Sequence, residues 1–445
     1  MLIRSISGVR GLTATRLNSA TVRAYARAVH TVLPRGPIML GRDTRPSGED
    51  LLSELTRELS RLGRHVISCG VAPTPTVQFM TENTETVGGI IITASHNPIE
   101  WNGLKFVRGD GTFFGPKDCH RLFATVDADQ PLDDAPEAGL FWQDRNAVQK
   151  HIIRVVEQKV IDLNAIRNRK FTVVIDAVNG AGSEALPALL ETLGCTVIPL
   201  YCDGSGDFKR GAEPLPENLA DLSRTVVEHR ADVGFAVDPD ADRLAVVSEL
   251  GQPLGEEYTL VLAADAYLRS VTEPETLVTN LSTSLALDKL AENRGWTVVR
   301  SAVGEINVVE KMMAVGANLG GEGNGGVILR GAHLGRDSLV GAAMVLQRMA
   351  LTDEPISKIH GGLPRFIIVK SRVELAGIDP DQVLKTIRDK ITAGEVNTED
   401  GLKLSWNDRW VHIRKSNTEP ILRIYAEGPD KQAAEELVRK VRSFI

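Results

Sequence analysis

The sequence predicts an α/β protein: three related domains with largely parallel or mixed sheets, followed by a small α+β domain. Three observations point to it. A strand–helix–glycine–strand arrangement occurs three times, roughly one domain length apart. The pattern changes after Gly361-Gly362-Leu363-Pro364. And 445 residues are too many for a single hydrophobic core.

In the first copy, the strand Ile38-Met39-Leu40 leads through a polar loop to a helix over Glu49–Leu62, then Gly63, then a strand over His65–Ser68. In the second, Val173–Ile175 is followed by the loop Asp176–Gly182, a helix over Ser183–Leu193, Gly194 and the strand Thr196–Tyr201. In the third, Leu277–Thr279 leads through Asn280–Ser284 to a helix reaching Arg294, then Gly295 and the strand Thr297–Arg300. Each glycine stands where a helix C-terminus takes a left-handed residue. Units of this length imply crossover connections.

The polar stretch Asp127–Pro136 and an amphipathic helix over Val148–Val160 place a boundary near 145. The turn Leu250-Gly251-Gln252-Pro253 marks a second, and Gly361–Pro364 a third, giving units 1–145, 146–250, 251–362 and 363–445. The last reads as a strand (Phe366–Val373), a helix (Asp381–Ile391), two adjacent strands (Trp410–Arg414, Ile421–Ala426) and a final helix (Asp430–Phe444).

Composition narrows the function. With 42% hydrophobic and 24% charged residues the chain has the balance of a soluble globular protein. A net charge of -7 makes no electrostatic case for nucleic acid or an anionic membrane, so an anionic substrate needs basic residues gathered locally. No apolar run would span a bilayer, and Met1-Leu2-Ile3-Arg4 starts no signal peptide, so a cytoplasmic protein is expected. Cys69, Cys119, Cys195 and Cys202 are scattered without CxxC spacing and read as reduced thiols, with no disulfide or zinc site expected.

Four stretches carry chemistry. Ile90-Ile91-Ile92 reads as a buried strand running into Thr93-Ala94-Ser95-His96-Asn97-Pro98. That leaves Ser95 on a loop at a strand's C-terminal end, where α/β proteins keep ligands. His96 beside it is a candidate base or phosphate donor. Taken alone, the stretch is equally an ordinary Ser/Asn/Pro turn. Asp238-Pro239-Asp240-Ala241-Asp242-Arg243 follows a strand over Val233–Val237. Three alternating carboxylates with no basic residue between them suit a hard divalent cation such as Mg²⁺, and otherwise form a solvated acidic turn. An EF-hand is excluded: Glu249 falls at its twelfth position, but the sixth is Arg243, not glycine.

Gly320-Gly321-Glu322-Gly323-Asn324-Gly325-Gly326 lets backbone approach a ligand and leaves Glu322 and Asn324 to meet vicinal sugar hydroxyls; its alternative is a flexible hairpin. Arg414-Lys415-Ser416-Asn417-Thr418-Glu419-Pro420 has a phosphate-binding composition, and supplies the local positive patch that the acidic chain requires. The run Gly180-Ala181-Gly182-Ser183 with Asp203 about twenty residues on resembles a dinucleotide fingerprint in outline. The other two copies lack such glycines, so close helix–strand packing is expected there and not NAD. Together, a loop serine, a tri-aspartate site, a sugar-hydroxyl clamp and a remote phosphate clamp describe phosphoryl transfer on a phosphosugar.

These four motifs, in this order and over essentially the whole chain, resemble the α-D-phosphohexomutase superfamily. The resemblance implies three α/β/α domains and a fourth, smaller one around a central cleft. It implies that Ser95 is the phosphoserine, completing a Mg²⁺ shell with Asp238, Asp240 and Asp242. Arg243 would contact the transferring phosphoryl group, Lys105 would serve the transferred proton, and Arg10 would stand at the active serine; both fit their roles better than His96. Glu322 and Asn324 match the sugar loop, and Arg414, Ser416, Asn417 and Thr418 the phosphate loop. The chain departs at Gly326, where many members carry an acid–base histidine; His333 is the nearest histidine in sequence.

The implied reaction moves a phosphoryl group between C6 and C1 of a hexose phosphate through a hexose 1,6-bisphosphate, which also serves as activator. The bisphosphate turns over without leaving. The Glu-Gly-Asn-Gly-Gly loop followed by Gly335-Arg336-Asp337 looks like phosphoglucosamine mutases, so glucosamine 6-phosphate to glucosamine 1-phosphate is the expected conversion, with glucose or mannose phosphates the alternative. A small-molecule partner and a monomer or homodimer are expected. A phosphatase would share the serine and metal but not need the clamps; a sugar-phosphate sensor would keep the clamps and tolerate loss of the serine.

Overall fold

The computed structural model describes residues 2–375, 379–415 and 421–445. Its strands form four separate sheets. The first has seven strands, in the order Ile3–Ser5, Gly8–Leu12, Trp101–Arg108, Gly88–Ile92, Ile38–Arg42, Val66–Val71, Phe141–Gln143. The second has the order Leu244–Ser248, Val233–Val237, Thr172–Asp176, Thr196–Leu200. The third has the order Thr297–Ser301, Thr276–Asn280, Leu319–Glu322, Gly326–Leu329. All three repeats expected from the sequence are present as parallel pairs: Ile38–Arg42 with Val66–Val71, Thr172–Asp176 with Thr196–Leu200, and Thr276–Asn280 with Thr297–Ser301. Gly63, Gly194 and Gly295 follow the intervening helices at φ +77°, +81° and +73°, the left-handed geometry that closes a helix without a Cβ clash.

A second regularity positions the site. In each sheet a buried parallel strand ends in a short loop, and the chain returns as an antiparallel neighbour. Gly88–Ile92 returns as Trp101–Arg108, Val233–Val237 as Leu244–Ser248, and Leu319–Glu322 as Gly326–Leu329. The serine, tri-aspartate and glycine loops occupy this one topological position three times over. Periodicity alone did not reveal it, because a doubly buried strand reads as an apolar run whichever way it points.

The fourth sheet is wholly antiparallel, in the order Ile367–Glu374, Ile421–Gly428, Trp410–Lys415, Leu402–Ser405, Glu395–Asn397. Helices Pro380–Lys390 and Lys431–Arg442 accompany it. The last two strands exceed the sequence expectation. Glu395–Asn397 is a short, largely exposed edge with no strong apolar alternation. The helix expected over Val148–Val160 spans Ala147–Val156; the chain turns at Gln158, whose carbonyl accepts from Ile161 N at 2.8 Å. All four cysteines are free. Among the described residues no helix is long and apolar enough to cross a membrane.

Candidate active site

Ser95 follows the fully buried strand Gly88–Ile92 and takes φ +51°, a left-handed conformation that costs a non-glycine residue energy unless its surroundings enforce it. They do. Its N–H donates to Thr93 Oγ1 at 2.8 Å. Its carbonyl accepts from Arg45 Nη2 at 2.6 Å, and the same buried guanidinium reaches the carbonyls of Asn97, Pro98 and Trp101 at 2.5–2.9 Å. Asp43 fixes Arg45 through an ion pair of 3.0 Å and accepts from Thr93 Oγ1 at 2.6 Å. Arg10 Nη1 donates to Asn97 Oδ1 at 2.9 Å, which puts it on the serine loop as expected. Sequence reading missed Asp43 and Arg45. Their signal was the segment Arg42-Asp43-Thr44-Arg45, which leaves a neighbouring parallel strand at the same sheet edge.

Ser95 Oγ donates to Asp238 Oδ2 at 3.3 Å and lies 3.3 Å from His96 Nδ1. His96 is therefore the nearest imidazole to the serine. Burial, then the charges of Arg243 and Arg10, pulls its pKa down to about 2, so the ring is neutral.

Asp238, Asp240 and Asp242 are buried, with carboxylate oxygens within 4.8 Å of one another. The repulsion expected among them is partly relieved by cations from elsewhere in the chain. Lys105 Nζ lies 2.6 Å from Asp240 Oδ2 and 3.3 Å from Asp242 Oδ2; Arg336 Nη2 lies 2.7 Å from Asp242 Oδ2. Thr74 Oγ1 also donates to Asp240 Oδ2 at 2.7 Å. Burial alone would raise the Asp240 pKa, but Lys105 overrides it and holds the carboxyl far below its usual range. Lys105 is correspondingly held charged: burial opposes, and Asp240 and Asp242 prevail. Asp238 goes the other way, raised by burial and then by Asp242 and Asp240. Among the described residues, Asp240 Oδ1 and Asp242 Oδ1 have no hydrogen-bond partner. Buried carboxylate oxygens left so are costly unless something binds them. An all-oxygen donor set of this kind fits a hard divalent cation.

Arg243 donates to Glu213 Oε1 at 3.2 Å and stands 3.8 Å from Asp242 and 4.0 Å from Asp238. Glu322, almost fully buried, accepts from Asn280 Nδ2 at 2.7 Å, Gly304 N at 3.0 Å and Arg336 Nη1 at 2.8 Å. Asn324 Oδ1 accepts from Gly326 N at 3.2 Å. Both line a cavity of about 270 Å³ with Ser95, Lys105, Arg10 and Arg243. It shares Arg10, His96, Gly304 and Arg423 with an adjoining hollow of about 530 Å³ that takes in Arg414 and Lys415. The two make one cleft, reaching from serine to fourth sheet.

Arg414 lies opposite Arg423 across adjacent strands and pairs with Asp400 at 3.2 Å. Ser416, Asn417 and Thr418 lie outside the described residues. His333 stands apart from the cleft, buried at 3.2 Å from Asp337, which His151 meets at 2.9 Å. Gly180, read as a packing glycine, lies where a Cβ would come within 2.6 Å of the Pro239 carbonyl: it lets the helix abut the tri-aspartate loop.

Four family profiles match the chain in succession: phosphoglucomutase/phosphomannomutase alpha/beta/alpha domain I over residues 2–132, domain II over 149–251, domain III over 255–366, and the C-terminal domain over 369–443. A relative from Methanopyrus kandleri named "Probable phosphoglucosamine mutase" is 32% identical over 97% of this chain and 95% of its own. One from Thermococcus kodakarensis named "Phosphoglucomutase/phosphomannomutase" is 34% identical over 96% and 95%. The crystal structure of a phosphoglucomutase/phosphomannomutase family protein from Burkholderia thailandensis superposes with a TM-score of 0.85 at 25% identity, covering 99% of this chain and 97% of that one.

Proposed function

The chain belongs to the phosphoglucomutase/phosphomannomutase family and is a phosphohexomutase, and from that premise we propose that Ser95 is its phosphoryl carrier, converting glucosamine 6-phosphate to glucosamine 1-phosphate through a glucosamine 1,6-bisphosphate. The observation that carries this reading is Ser95 Oγ at 3.3 Å from Asp238 beside the partnerless oxygens of Asp240 and Asp242.

Asp238, Asp240 and Asp242, with phosphorylated Ser95, would hold Mg²⁺, which when bound neutralises charge on the phosphoryl oxygens. In the first half-reaction the P–Oγ bond of phosphoserine breaks as phosphorus bonds to the free sugar hydroxyl, and the proton the hydroxyl gives up balances the one Lys105 delivers to the departing Oγ. In the second, the other phosphate's P–O bond to the sugar breaks, phosphorus bonds again to Oγ, and the proton moves the opposite way, to the sugar oxygen. Arg243, braced by Glu213, contacts the moving group, and Arg10 supports it from the serine loop. Lys105, held charged by two carboxylates, acts as the acid of the transfer. Glu322 and Asn324 receive sugar hydroxyls. Arg414, with Ser416, Asn417 and Thr418, holds the phosphate that does not react, and a hexose 1,6-bisphosphate primes the serine. The four units carrying these parts divide near 145, 250 and 362.

The relative from M. kandleri supports glucosamine phosphate, and the one from T. kodakarensis supports a second reading with glucose or mannose phosphates. The test is a coupled assay of the three sugar phosphates side by side, primed with glucose 1,6-bisphosphate. The expected result is fastest turnover of glucosamine phosphate with negligible release of inorganic phosphate. Stoichiometric release of inorganic phosphate would show a phosphatase instead.

A further inference from the structure

Gly326 closes the glycine loop without a side chain, and the space above it is filled. A Cβ at this position would lie 2.3 Å from Cδ and 2.8 Å from Cγ of Arg336, whose aliphatic stem crosses the bare backbone. Any side chain at 326 and this course of Arg336 therefore exclude one another. Beyond the glycine, the guanidinium ends among three carboxylates from three segments: Nε donates to Glu305 at 3.0 Å, Nη1 to Glu322 at 2.8 Å and Nη2 to Asp242 at 2.7 Å. Glu305 opens the helix Glu305–Val315 and accepts from Gln78 Nε2 at 3.2 Å, which ties the cluster to the first unit.

The bonds divide the carboxylate oxygens in a pattern. Arg336 takes Oδ2 of Asp242, and Lys105 with Thr74 takes Oδ2 of Asp240, while among the described residues Oδ1 of each has no hydrogen-bond partner. A carboxylate gripped by one oxygen is fixed in rotation and presents the other. Groups that bond a ligand in this way set its orientation and tune the metal it serves. A planar guanidinium holds three carboxylates at donors fanned in one plane and so fixes their relative directions; a lysine ammonium is a compact charge on a flexible stem that fixes them less.

We propose that Arg336 is a positioning residue that locks the tri-aspartate loop to the sugar loop, aiming Asp242 at the cation and Glu322 at the sugar, and that residue 326 is glycine to let it pass. The sugar half rests on the mutase reading above; the cation half rests on the carboxylate geometry. It is tested on the purified full chain with Mn²⁺ as probe, by calorimetry or electron paramagnetic resonance, alongside steady-state kinetics on glucosamine 6-phosphate and glucose 1-phosphate. Arg336→Gln should weaken Mn²⁺ binding about 10- to 100-fold and raise KM for the sugar phosphate. Arg336→Lys should recover part of both. Gly326→Ala should reproduce the Arg336→Gln defect by displacing the guanidinium, with the double variant no worse than the poorer single one; this arm serves if Arg336→Gln does not fold. Wild-type Mn²⁺ affinity in Arg336→Gln, or additive losses in the double variant, would overturn the proposal. A wild-type chain that binds Mn²⁺ but isomerises neither sugar phosphate would defeat the mutase reading alone, and the Mn²⁺ arm would then decide this one.

Discussion

The second and third units are joined to one another differently from the way the fourth is joined to the third. Ile175, Val237 and Leu244 around the second sheet, and Leu260, Val327 and Leu346 around the third, belong to one buried apolar cluster. The fourth unit has a core of its own, including Ile387, Leu404, Ile413 and Leu422. Apart from Leu363 and Phe366 at its start, which pack on the shared cluster, it meets the third across polar bonds, among them Ser282 Oγ to His412 Nδ1 at 2.8 Å, Val303 N to Asp400 at 3.0 Å, Leu285 N to Glu427 at 2.8 Å and Lys403 Nζ to the Leu281 carbonyl at 2.7 Å. A close-packed apolar core cannot slide without losing contacts. Polar bonds can be exchanged for water at a net cost of about 1 kcal/mol each. The distance from tri-aspartate loop to sugar loop is thus built into a core, while Arg414 and Arg423 ride on a unit with a core of its own. That division suits the proposed transfer, in which a bisphosphate turns over inside a cleft closed to water.

The largest expected effects lie on the rigid side. Ser95→Ala should reduce mutase activity to the assay floor and leave the melting temperature nearly unchanged, since only one oxygen and its long contacts to Asp238 and His96 are lost. Full activity in that variant would remove the phosphoryl carrier. Asp240→Asn takes from Lys105 its shorter ion pair, and disrupting a buried pair costs about 3–5 kcal/mol. It should shift the Mg²⁺ titration of activity to higher concentration as well as lowering stability; an unchanged titration would take Asp240 out of the cation's donor set. Leu346→Ala empties a fully buried position in the shared core and should cost about 2–5 kcal/mol. Calorimetry should show the second and third units unfolding in one transition, and two separated transitions would break the rigid half of the comparison.

Much of this arrangement was legible in the sequence, and the rest was not for identifiable reasons. Strand Val233–Val237 and the three left-handed glycines follow from apolar runs and helix termini, which are local signals. The convergence of Ser95 on Asp238 is not local: 143 residues separate them, and it was read from motif chemistry. What stayed hidden were residues that act by supporting others. Arg45 bonds to four backbone carbonyls, and backbone partners leave no mark in a side-chain pattern. Asp337 caps the helix Ser338–Ala350, and Arg336 beside it entered the sequence reading only within Gly335-Arg336-Asp337 as part of the resemblance, with no contact assigned to it. Its three carboxylate partners come from distant segments that only the folded sheets bring together. The acidic loop's own six residues hold only Arg243 at the end; Lys105 reaches it from the first sheet and Arg336 from the loop before helix Ser338–Ala350.

The smallest effect probes the polar seam. His412 is buried, with Nδ1 against Ser282 Oγ and Nε2 against the Asp400 carbonyl. Burial, aided by the nearby charges of Lys403 and Arg414, lowers its pKa to about 4. The folded seam accommodates the neutral ring, whereas the unfolded chain protonates it near 6.5. Its contribution to stability is therefore complete above about pH 6.5 and is lost as the pH falls toward 4. At 1.36 kcal/mol per pH unit the gap corresponds to roughly 3 kcal/mol at most. Other groups shift in the same window, among them His96, His360, Glu257 and His30, the last lowered to about 4 by burial and then Arg64, so the slope for the whole chain mixes them with His412. The difference between wild type and His412→Gln isolates the seam. Wild type should lose more stability than the variant between pH 6.5 and 4, and its KM for the sugar phosphate should rise over the same interval as the fourth unit loosens. Parallel stability curves would mean that His412 does not hold the seam, and that the fourth unit is docked by its other contacts, Asp400, Glu427 and Lys403 among them.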